Sequence, residues 1–145
     1  SFRGNLTFSF MSQNDSSFCQ FQDFLGRKVL LLWLTQDSID AWNLIENKKY
    51  RYSNISEIIP VLSALNPNHL IKFLWGEEII TKQMSVPSQA KIEIKIGKSD
   101  QNSSFIDNVI FIDNLNRQEL SIKIDSRVFN HNYLDLKKYW DIFLS

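Results

Sequence analysis

Cysteine is nearly absent from this 145-residue chain. Cys19 stands alone, so no internal disulfide can form, and no Cys-x-x-Cys or Cys/His spacing offers a zinc site. A reducing, cytoplasmic setting is the expectation. Glycine and proline are scarce as well, at four and three residues, which leaves few breakers and predicts regular structure joined by compact turns. No apolar run approaches the roughly 18 residues a membrane span needs. The longest, Val29 to Leu34, has six. Net charge is missing too: 16 basic residues balance 16 acidic ones, which removes the usual electrostatic case for a nucleic-acid or anionic-membrane partner. Neither partner is expected. The short clusters Lys48-Lys49-Tyr50-Arg51 and Lys137-Lys138 read as solvated faces. There is no G-x-x-x-x-G-K-[ST], G-x-G-x-x-G or G-x-S-x-G, and so no cofactor is expected.

What is present is an ordinary core-forming composition, 43% hydrophobic and 22% charged, enough to bury one domain over residues 1–145. The C-terminal half is the most regular. Lys91 to Ile96 alternates so that Ile92, Ile94 and Ile96 share one face and Lys91, Glu93 and Lys95 the other. Leu120 to Asp125 repeats the pattern, and Val109-Ile110-Phe111-Ile112 between them is apolar on both faces. Connections this short predict an antiparallel three-stranded meander with Val109 to Ile112 in the middle. A closing helix capped by Asn132, with Leu136, Trp140 and Phe143 on one face, should lie on the isoleucine side.

In the N-terminal half, Leu6, Phe8 and Phe10 alternate with polar residues and predict a first strand. Phe18, Phe21, Phe24 and Leu25 recur at helical spacing up to Gly26, which predicts a short helix. Val29 to Leu34 reads as a central strand covered on both faces. Thr35 and Asp37 then look like helix caps, with Ile39, Trp42 and Ile45 continuing to about Asn47. Further helices are predicted within the stripe from Ile55 to Leu65, starting late so that Pro60 falls in the first turn, and from Asn66-Pro67 to Gly76, and a strand over Glu78 to Met84. The whole is an α+β domain: a C-terminal antiparallel three-stranded meander with helices packed on one face and additional N-terminal strands.

Chemistry-bearing patterns are few. Glu93-Ile94-Lys95 is an E-x-K on a strand, the arrangement metal-dependent nucleases use to hold Mg²⁺ and a water. That chemistry also needs a second acid at a neighbouring strand end, where the sequence offers only Glu77 and Glu78. Alternating strands in a Lys/Glu-using chain generate E-x-K readily, so the solvated-face reading is preferred and the nuclease-like hydrolase kept as the alternative. Asp107 and Asp113 lie about 20 Å apart along one strand, too far for a shared site. His69 and His131 lack a third ligand at fixed spacing and read as surface histidines. Cys19, set between Phe18 and Phe21, reads as a buried small hydrophobe. The sequons at Asn5, Asn14, Asn54 and Asn102 follow from an Asn- and Ser-rich composition.

The aromatic content is high, 13% of residues. Trp75, Tyr50, Tyr52 and Tyr139 fall at predicted element ends, where an amphipathic ring suits an interface. The expectation is therefore a non-catalytic protein-interaction or assembly module, bound to a protein partner or to itself through these residues.

Overall fold

A computed structural model of the protein describes residues 5–13, 15–51, 53, 66–77, 92–114, 117–129 and 133–144. The run of six apolar residues organises the N-terminal half. As β3 (Lys28–Thr35) it is buried on both faces, and such a strand needs partners at both edges. They are supplied by β1 (Thr7–Ser12), β2 (Ser16–Gln22), β4 (Ile39–Asn43) and β5 (Lys48–Tyr50), in an antiparallel sheet of order β1-β2-β3-β4-β5.

Two predicted helices are thus strands. In β2, Phe18 pairs with Trp33 and Phe21 with Leu30, so the three-residue spacing puts the two rings on opposite faces of a strand. Gly26 does have positive φ, at 80°, but it closes a hairpin turn, donating its N–H to the Asp23 carbonyl. Thr35 caps a turn in place of a helix. Its Oγ1 accepts from the N–H of Ser38 at 3.1 Å, and β4 follows, with Leu31 facing Trp42 and Leu34 facing Ile39.

The C-terminal meander forms as expected, except that its third strand starts and ends two residues earlier than the alternation over Leu120 to Asp125. In β6 (Ile92–Gly97), β7 (Asn108–Asp113) and β8 (Gln118–Lys123), β7 is central and antiparallel to both neighbours. Ile94, Phe111 and Leu120 align in one row and Ile96, Val109 and Ile122 in the next. This face joins Cys19, Leu30, Leu32 and Ile39 of the first sheet in one core.

The helix α1 (Pro67–Leu74) belongs to that core through Leu70, Ile71, Phe73 and Leu74. Asn66 caps it, its side chain accepting from the N–H of Asn68 at 3.0 Å, and Pro67 occupies the first turn. The second helix, α2 (Leu136–Leu144), departs from expectation. Leu136 and Trp140 pack with Phe18, Leu31 and Trp33 on the far face of the five-stranded sheet, away from the isoleucines. The physical reason is the double-sided β3: its second face is also apolar, and α2 removes it from water. The predicted helix with Pro60 in its first turn, the strand over Glu78 to Met84 and the cap at Asn132 lie outside the described residues. Among the described residues no helix is long and apolar enough to cross a membrane.

Candidate functional site

The chain leaves α1 at a tight stop. Trp75 N–H donates to Ile71, Gly76 N–H to Phe73 and Glu77 N–H to Lys72, with Gly76 at φ 80°. Glycine is required there twice over. A Cβ would be strained at that φ and would stand 2.9 Å from the Cβ of Phe105. Phe105 is held against the helix end by its neighbour Ile106, whose N–H donates to the Gly76 carbonyl at 3.0 Å.

Arg127 locks the same junction from a third segment. Its Nε donates to Leu74 O at 2.7 Å and one Nη to both Phe73 O at 3.0 Å and Ile106 O at 2.6 Å. Leu74 and Phe73 are the last two residues of α1, and a cation is favoured at that end of the helix dipole. Burial draws the guanidinium below its ordinary pKa, and the charge of Asp107 opposes this. Asp107 itself is pushed up by burial. Hydrogen bonds from Ser99 N–H and Asn108 Nδ2, both 2.8 Å, and the charge of Lys123 outweigh that and hold it below the ordinary carboxylate value.

The outcome of this bracing is an aromatic surface. The Phe105 and Phe129 rings lie 5.2 Å apart between centroids, and Phe129 lies 6.0 Å from Trp75. Phe105 and Phe129 remain exposed, and Val128 beside them is 93% exposed. Trp75 Nε1 donates to Gln13 O at 3.3 Å, and Gln13 Nε2 to Leu134 O at 2.6 Å. The surface therefore continues past the β1–β2 turn to the exposed Tyr133 and Leu134. An open cleft of about 310 Å³ adjoins it, walled by Phe105, Phe129, Arg127, Asp107 and Asp125.

Of the residues singled out from the sequence, Trp75 belongs to this surface, in contact with Phe129. Tyr50 is in the core, aligned with Ala41, with Lys48 Nζ 5.0 Å over its ring. Tyr139 stands apart on α2, partly exposed and stacked on Phe18. Tyr52 lies outside the described residues. Glu93 and Lys95 are exposed on the outer face of β6, and Glu93 Oε1 accepts from Asn114 Nδ2 at 3.0 Å. The acid aligned with Glu93 on that face is Glu119, two strands away across Ile112, about 10 Å. Among the described residues no group of three or more His, Cys, Asp or Glu side chains is placed to hold a metal ion.

His69 departs from the surface reading. It is buried, and among the described residues its Nδ1 has no hydrogen-bond partner. Cys19 is buried as expected, and burial pushes its thiol up to about 12. Phe105, Arg127 and Phe129 carry no local signal in the sequence. No regular periodicity runs through Ser103 to Ile106 or Asp125 to Phe129, and only packing on the end of α1 brings them together. No known protein family matches this chain, and no curated protein is significantly similar to it.

Proposed function

We propose that the chain is a non-catalytic protein-interaction module that docks a partner protein on the surface of Trp75, Phe129 and Phe105. The observation carrying this reading is the continuity of three aromatic rings that stay partly exposed while in contact with one another. Isolated exposed apolar residues are common on any surface, whereas a connected patch of them marks a contact site. Fixation matters as much as exposure. Trp75 tied to Gln13 and Phe105 seated on Gly76 lose little freedom on binding, so more of their burial appears as affinity. Aromatic anchors of this sort dominate interface energetics. The E-x-K alternative gains no comparable support from the exposed Glu93 and Lys95.

The test is the double substitution Phe105→Ser and Phe129→Ser. Light scattering across a concentration series reports self-association, and capture on the immobilised chain reports a partner. We expect an assembly or a bound protein with the native chain, and a loss of about 2 kcal/mol, roughly thirtyfold in affinity, with the variant at unchanged helix and sheet content. If native and variant chains behave alike in both measurements, the reading is wrong.

A further inference from the structure

The opposite end of the five-stranded sheet carries a different surface. The β2–β3 and β4–β5 turns lie side by side there, because β3 and β4 are neighbours and Leu44 N–H donates to Val29 O at 3.0 Å. At 3.3 Å per residue, β3 separates this end from the Gln13 turn by about 25 Å. At the apex of the first turn Phe24 is 89% exposed and Leu25 64%, and at the second Ile45 is 67% exposed.

In both turns a side-chain oxygen from within the turn pairs backbone donors near the apex. Asp23 Oδ1 accepts from the N–H of Leu25 and of Arg27, both at 3.0 Å, and Oδ2 from Arg27 Nε at 2.8 Å. Asn43 Oδ1 accepts from the N–H of Ile45 at 3.1 Å and of Glu46 at 3.2 Å, and Asn47 Oδ1 from Trp42 Nε1 at 3.1 Å. Asn47 takes the left-handed conformation the turn demands, φ 51°. Apolar side chains thus project from turns in which the N–H groups of Leu25, Gly26, Arg27, Leu44, Ile45 and Glu46 are already paired. That is the condition for moving a turn out of water at low cost.

The charge behind the apex has one dominant sign. Arg27, Lys28, Lys48 and Lys49 stand against Asp23 and Glu46, a local excess of two cations in a chain whose net charge is zero. The chain-wide balance speaks against an anionic partner, but the fold concentrates these cations at one end. Lys48 and Lys49 keep their ammonium groups close to the sheet, over Tyr50 at 5.0 Å and Trp42 at 4.9 Å, set back from Ile45.

We infer that this paired-turn end adsorbs to an anionic lipid surface, with Phe24, Leu25 and Ile45 entering the headgroup boundary and Arg27, Lys28, Lys48 and Lys49 meeting the phosphates. A convex apolar apex with cations set behind it matches the layering of a bilayer, apolar inside and anionic outside. A protein partner would need a pocket to receive each protruding side chain. Adsorption of this kind requires no spanning segment. It is also independent of the aromatic surface at the far end, so either can fail alone.

The experiment is co-sedimentation of the full chain with vesicles of phosphatidylcholine alone and with phosphatidylserine added. Binding is expected only to the second, weakening as salt is raised. Phe24→Ser with Leu25→Ser should reduce it at least about tenfold, and Lys28→Glu with Lys48→Glu should abolish it, both at retained helix and sheet content. Depth is read from a polarity-sensitive dye on Leu25→Cys, since buried Cys19 stays unlabelled. It should shift to the blue on phosphatidylserine vesicles, and the same dye on Asp37→Cys at the other end should not. Equal sedimentation with both vesicles, no sedimentation, or salt-sensitive binding indifferent to Phe24→Ser with Leu25→Ser overturns the inference. The last outcome, or equal retention on an acidic protein matrix, would mark a surface attracted to polyanions in general.

Discussion

Arg127 and Leu74 meet at 2.7 Å, side-chain Nε to backbone oxygen, across 53 residues of sequence. With the bonds to Phe73 and Ile106, this one side chain ties the end of α1, the segment entering β7 and the segment leaving β8. Arg127→Met keeps much of the side-chain volume but takes the guanidinium donors away from the carbonyls of the buried residues Leu74 and Ile106. It should cost about 2–3 kcal/mol in urea unfolding. Arg127→Lys should recover only part, because an ammonium cannot reproduce the planar fork.

Gly76 and Phe105 form a second coupled pair. Gly76→Ala combines a strained φ with a 2.9 Å approach to the Phe105 Cβ, and about 2 kcal/mol of destabilisation is expected. The two causes separate in a double-mutant cycle. In a Phe105→Gly background the steric part vanishes and the conformational part, about 1 kcal/mol, remains. Additive free energies would mean that the two sites are not in contact.

His69 sets a pH dependence whose sign follows from its burial. Burial first, and then the nearby charge of Lys72, hold its folded pKa below the ordinary 6.5. The unfolded chain therefore takes up the proton before the folded one. Its contribution to stability is complete above pH 6.5 and declines as the pH falls below that value towards the folded pKa. His69→Phe should flatten this part of the stability profile in chemical denaturation. An unchanged slope between native and variant would show that His69 charges freely in the fold.

Trp140 reports on where α2 sits. Trp140→Ala should cost about 3 kcal/mol, the scale for emptying a buried aromatic site. A cycle with Phe18→Ala should show coupling, whereas one with Ile94→Ala should be additive. The reverse pattern would move α2 to the isoleucine face.

How far the sequence could be read varied along the chain for identifiable reasons. The alternation in Lys91 to Ile96 and Leu120 to Asp125 has one solution, because a sheet with one wet face must alternate. The Asn66-Pro67 start and Gly76 stop of α1 also act through nearest neighbours, and both stand. Phe18, Phe21 and Phe24 were ambiguous. Their spacing suits a helix face, yet in the fold they point to one face of the sheet, to the other, and into solvent. Ile39, Trp42 and Ile45 divide in the same way. A strand buried on both faces has no period of its own, and β3 imposes strand structure on whatever lies beside it.

The sequence by itself determined the elements whose cause is local: the strand order and faces of the meander, the caps of α1, the buried character of β3 and Cys19. Tertiary structure alone decided that β2 and β4 are strands, that α2 covers the second face of β3, and that Trp75, Phe105 and Phe129 form one surface. Local order follows from dihedral preference and the hydrogen bonds of adjacent residues. These surfaces follow from burying apolar area across tens of residues, a constraint that no short window of sequence records.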